Sequence, residues 1–130
     1  MRDLFEVYYR DWSEYPAKLM IEVDSECKNR IYLIVEAAKF KGEGCIYMTD
    51  DQIRLYSAQL MQMDQTFEGA CRINDSESEE AFMEVSFKEG KLRVDGLVSD
   101  YINKLMFKFD ADQTILKELL SVLKKLGKQN

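Results

Sequence analysis

The chain has 130 residues, 46% apolar and 32% charged, which suits one globular domain that buries roughly two thirds of its unfolded surface. A formal net charge of −6 argues against a sequence-independent nucleic-acid binder, whose affinity comes from neutralising phosphates with Lys and Arg, and leaves either plain solubility or a basic partner as the use of the charge. No run reaches the roughly 18 apolar residues of a membrane span, Met1-Arg2-Asp3 leads into no apolar signal core, and three cysteines form no disulfide framework, so a cytoplasmic protein away from any membrane is expected.

Two strands open the chain. Phe5, Val7 and Tyr9 alternate with polar or aromatic neighbours, Ser13-Glu14-Tyr15-Pro16 turns, and Leu19, Ile21 and Val23 alternate again. Ile31 to Ala38 is apolar on both faces for most of its length, as in a central strand covered twice. Gly42-Glu43-Gly44 reads as a turn into Cys45-Ile46-Tyr47-Met48. Thr49-Asp50-Asp51-Gln52 is a capping box with carboxylates in the first turn, and Ile53, Tyr56, Leu60 and Met63 make one stripe, predicting a helix over Asp50–Met63 that covers a sheet.

The layout then recurs. Phe67 to Ile73 alternates, Asn74 to Glu80 is an acidic loop, and Met83, Val85 and Phe87 turn back through Glu89-Gly90 into Leu92 and Val94. Gly96, Ser99 and Asp100 mark a bend before Leu105, Phe107 and Phe109. Asp110 and Asp112 are candidate caps for a closing helix over Thr114–Leu126, with Leu116, Leu119, Leu120 and Leu123 on one face and Gly127 as its C-cap. Asp64-Gln65-Thr66 and Asp112-Gln113-Thr114 match by chance, at opposite helix ends. The expected fold is a single α+β domain over 1–130, a strongly curved antiparallel sheet or half-open barrel of about eight strands with two packed helices.

The order of a GEGxxY-like strand, an acidic-capped helix rich in Leu and Gln, the Glu68-Gly69-Ala70-Cys71-Arg72-Ile73 strand, an acidic loop, a hairpin and the Leu105 to Thr114 run into a Leu-rich helix resembles the WapI-type bacterial immunity proteins. The likeness covers roughly residues 30–126, and its motifs are structural. It implies a protein that neutralises a cognate bacterial toxin by forming a stoichiometric complex, but it transfers no binding residues.

Residue chemistry identifies no catalytic set. Histidine is absent, and with it the usual triads and most zinc sites. No P-loop, dinucleotide fingerprint or CxxC occurs, and neither a cofactor nor a metal is expected. Cys45 and Cys71 are neighbouring thiols or buried small hydrophobes. Asp75, Glu77, Glu79 and Glu80 are either a solvated loop or a docking patch for a basic toxin; Trp12 and Tyr15 either cover a barrel mouth or anchor an interface. Methionines 20, 48, 61, 63, 83 and 106 read as core filler. Three non-enzymatic roles follow: a toxin-neutralising binder, a small-ligand binder whose concave sheet is lined by Tyr32, Tyr47 and Phe107, and a self-associating subunit that runs as a homodimer.

Overall fold

The computed structural model describes residues 2–10, 17–37, 39–78, 81–99 and 102–128, with residues 2–10 and 37 by backbone alone. Strands β1 (Arg2–Arg10), β2 (Ala17–Asp24), β3 (Arg30–Ala37) and β4 (Phe40–Tyr47) precede helix α1 (Asp50–Thr66). Strands β5 (Ala70–Asn74), β6 (Phe82–Lys88), β7 (Lys91–Ser99) and β8 (Lys104–Ala111) precede α2 (Thr114–Gly127). β1 to β4 pair antiparallel in chain order, and so do β5 to β8, giving two separate sheets. The α+β class and the antiparallel pairing hold; the single curved sheet or half-open barrel does not. The first sheet ends at β4, and α1 intervenes before β5 begins the second.

The two sheets meet where β4 crosses β7, and glycine makes the crossing possible. A Cβ on Gly44 would lie 3.1 Å from both Ala81 Cβ and Val98 Cβ and 3.2 Å from Val98 Cα. One on Gly42 would lie 2.7 Å from Val98 Cγ2 and 2.9 Å from Leu105 Cδ2. Gly42-Glu43-Gly44 is therefore strand, not the expected turn; the turn falls at Lys39. Gly96, expected in a bend, lies inside β7 opposite Phe107, whose ring occupies the space of the missing side chain. The Glu89-Gly90 turn is as expected, both residues having positive φ (53° and 79°), the pattern of a two-residue hairpin that suits strand twist.

One core joins both sheets and both helices. Leu19, Ile21 and Val23 of β2 and Ile31, Leu33 and Val35 of β3 point into it, and Ile34 is buried on the opposite face. In α1 the capping box forms, Gln52 N–H donating to Thr49 Oγ1 at 3.2 Å and Thr49 N–H to Gln52 Oε1 at 2.9 Å. The buried residues of α1 are Ile53, Tyr56, Leu60 and Met63. The helix runs three residues past the expected end and stops at left-handed Phe67, whose N–H reaches Met63 O at 2.9 Å. In α2, Asp112 Oδ1 accepts from Thr114 N–H at 3.0 Å, whereas Asp110 stays on β8 beside Arg93 at 3.7 Å, and the N-cap position itself is Gln113. Gly127 is the last helical residue and Lys128 follows it with φ −91°, so no left-handed glycine cap forms. The Asp64 and Gln113 segments touch: Gln113 Nε2 donates to Asp64 O (3.1 Å) and Oδ1 (3.0 Å), fastening the end of α1 to the start of α2.

Met48, Met63 and Met83 fill the core as expected. Met61 and Met106 do not, being 52% and 78% exposed, and Met20 is half-buried on the outer side of β2.

The seam sets the first expectation. Gly44→Val drives branched methyls into Val98 and Ala81 and destabilises the fold by about 1–3 kcal/mol in chemical denaturation, the usual cost of overpacking. The loops set the second. Asp24 Oδ1 accepts from Glu26 N–H (2.9 Å) and Cys27 N–H (3.2 Å), and its other oxygen from Tyr32 Oη–H (3.1 Å). Asp50 accepts from Asn29 Nδ2 at 2.8 Å and Lys28 Nζ at 3.5 Å. The Glu26 amide at Asp24 and the Asn29 amide at Asp50 are the main groups holding these carboxyls below their ordinary range. A depressed folded value means that the stabilisation is present above about pH 4 and is lost as pH falls through the folded values. Acid titration of the Asp24→Asn, Asp50→Asn double variant shows a shallower loss of stability below about pH 4 than the parent.

Candidate functional site

The expected acidic docking loop has a structural centre. Asp75 is half-buried, and its Oδ1 accepts from Tyr47 N–H at 3.0 Å and Glu77 N–H at 3.3 Å while Oδ2 accepts from Ser78 Oγ–H at 2.6 Å. Ser76 N–H donates back to Tyr47 O at 2.9 Å. Asp75 thus ties the loop to the end of β4, and its lone pairs are engaged within the fold. Of the proposed patch, Glu77 is exposed; Glu79 and Glu80 lie outside the described residues, as do Trp12 and Tyr15.

The residues expected to line a ligand cavity are dispersed. Tyr32 sits on the outer face of the first sheet bonded to Asp24, whereas Phe107 is buried on the inner face of the second, stacked on Phe109 at 6.1 Å. Leu19, Leu33, Ile46, Leu60 and Met83 fill the interior with side chains. Cys45 is exposed on β4 and Cys71 buried on β5. Burial pushes the Cys71 thiol up to about 12, as suits a small hydrophobe, and its Sγ lies 3.9 Å from Tyr56 O.

The surface with the richest chemistry is the outer face of the second sheet, which the sequence reading passed over. Strand register lines up Asn74, Phe82, Leu97 and Met106 across β5, β6, β7 and β8, a row of roughly 14 Å at the usual strand spacing. At the far end Met106 is 78% and nearby Ile102 88% exposed. At the near end the row opens into a cleft of about 470 Å³ lined by Arg72, Asn74, Asp75, Ser78, Ala81 and Phe82. The Arg72 guanidinium lies 3.8 Å over the Phe82 ring, and its Nε–H donates to Asn74 Oδ1 at 3.0 Å. Stacking and this bond hold the guanidinium in one orientation.

The charge of this face departs from that of the chain. Cations Arg72, Lys88, Lys91, Arg93, Lys104 and Lys108 on its outward positions outnumber anions Glu84, Asp95 and Asp110. Over the whole chain the 24 Asp and Glu residues divide evenly between residues 1–65 and 66–130. The excess of cations is therefore local to the outward strand positions of β5 to β8. Ser86 is the odd member of the face, buried with its Oγ unpartnered among the described residues. Alternation alone foretold which residues of β6 to β8 point outward; the joining of four strands into one row needed the register.

Asp75→Ala leaves the Tyr47 amide without its acceptor and costs about 1–3 kcal/mol in chemical denaturation, while Ser86→Ala is neutral or stabilising by up to about 1 kcal/mol because it removes an unsatisfied buried hydroxyl. No protein-family model and no curated protein matches the chain. Among solved structures it is similar to the crystal structures of trypanosomal MRP1/MRP2, with a TM-score of 0.54 and 7% identity over 96% of this chain and 82% of that one, a likeness of fold alone.

Proposed function

We propose that the chain is a non-catalytic binding protein that acts by forming a stoichiometric complex with another protein. Toxin neutralisation, implied by the resemblance to the WapI-type immunity proteins, is the specific form of that role. The observation that carries the proposal is the outer face of the second sheet, where an apolar row with a highly exposed methionine runs beside a ridge of mixed charge. Such a face combines the apolar centre and polar rim of protein interfaces. The solidly filled core favours surface recognition over an enclosed small ligand. The bonds of Asp75 within the fold favour the sheet over the acidic loop as the place of contact.

Affinity capture with the tagged chain from cells of its own source, read by mass spectrometry, tests the proposal. Recovery of one protein at a fixed ratio is expected, and Met106→Glu placed in the row lowers its recovery at least about tenfold, on the scale of losing an interface anchor. Undiminished recovery by that variant removes this face from the proposal.

A further inference from the structure

Resting on that binding role, we infer that the occupant of the second sheet's outer face is an acidic, amphipathic peptide segment of the partner. One of its carboxylates seats on Arg72, and its apolar side chains lie along Phe82, Leu97 and Met106. Three observations carry this.

The first is that Arg72 is held by Phe82 and Asn74 and is uncommitted among the described residues. Phe82 supports one face of its guanidinium and Asn74 takes its Nε–H, and no carboxylate among the described residues lies within ion-pair distance. Arg54 and Arg93, by contrast, are paired with Asp51 and Asp110. A stacked guanidinium with its terminal N–H groups unused is prepared for bidentate contact with a carboxylate, and its ordering entropy is already met by the fold.

The second is the cleft. Asn74 and Ser78 add polar groups to the lining that Arg72 shares, and Asp75, the carboxylate of that lining among the described residues, is occupied by Tyr47, Glu77 and Ser78. The third is charge complementarity. Arg72 near one end of the row and Lys104 and Lys108, the outward strand positions flanking Met106, at the other attract an anionic segment and repel a basic one. A row of roughly 14 Å suits a segment of four or five extended residues. The acidic occupant replaces the basic partner that net charge alone suggests.

Panning the biotinylated full chain against phage-displayed random peptides, followed by fluorescence anisotropy with labelled synthetic copies of the enriched sequences, tests the inference. Enriched peptides are expected to combine Asp or Glu with Leu, Phe or Met. Arg72→Gln weakens them at least about tenfold, as expected for a lost charged hydrogen bond. Arg72→Lys, which keeps the charge but not the fork, recovers part of that loss, and Lys28→Gln in the turn between β2 and β3 changes nothing. Circular dichroism and thermal melting confirm that each variant is folded. Enrichment of basic peptides, enrichment insensitive to Arg72→Gln, or no enrichment at all overturns the inference. So does a concentration-dependent dimer in sedimentation that Met106→Glu abolishes, because the occupant is then a second copy. Capture of a whole partner protein without acidic peptide enrichment leaves the binding role standing and removes only the acidic segment.

Discussion

The architecture depends on a contact to which one strand brings no side chain: the backbone of β4 at Gly44 lying against Val98 of β7. Two twisted sheets need to approach closely somewhere to share one core, and any Cβ at that crossing would hold them apart. Because the approach is made at Gly42 and Gly44, the apolar faces of β2, β3, β6 and β7 and the stripes of both helices converge on one cluster. At Gly96 the same device appears within a sheet, where a phenyl ring from β8 covers bare backbone on β7. Elsewhere the helices carry the closure. Their stripes close the core, and the Gln113 side chain joins them end to end.

Closing the core inward leaves both outer sheet faces outward, and the faces differ. On the first sheet, Tyr32 and Asp24 bond to each other and Ile34 is buried, so part of that face is consumed by its own contacts. On the second, the apolar row remains open at Met106 while the arginine at its other end is set but unpaired among the described residues. A binding protein requires no reactive group, only a surface whose shape and charge are fixed before the partner arrives. The stacking of Arg72 on Phe82 and the tethering of the neighbouring loop by Asp75 supply that rigidity.

What the sequence made legible was whatever local chemistry decides. The Thr49 capping box, the stripe of α1 and the Glu89-Gly90 hairpin depend on residues within a few positions of each other, and they lie where the pattern put them. Glycine at 42, 44 and 96 was misread because its purpose is a neighbour distant in sequence, while a turn is the commoner local reason for glycine. The bond of Asp75 to the Tyr47 amide was hidden for the same cause, since Tyr47 lies across the length of α1. The division into two sheets was likewise hidden, since alternation states which residues face inward but not which strands share a ladder. The outer row of the second sheet is a product of register and could not be read from any one strand.

The uneven placement of charge has a consequence beyond any single contact. With cations in excess on the outer face of the second sheet of a protein whose net charge is −6, the molecule carries a permanent dipole. A partner drifting toward it experiences a torque before it touches, and arrives already turned toward one face. Average charge describes such a protein poorly. On a column it is expected to cling to a cation exchanger above its isoelectric point, held by one side while the other faces the buffer.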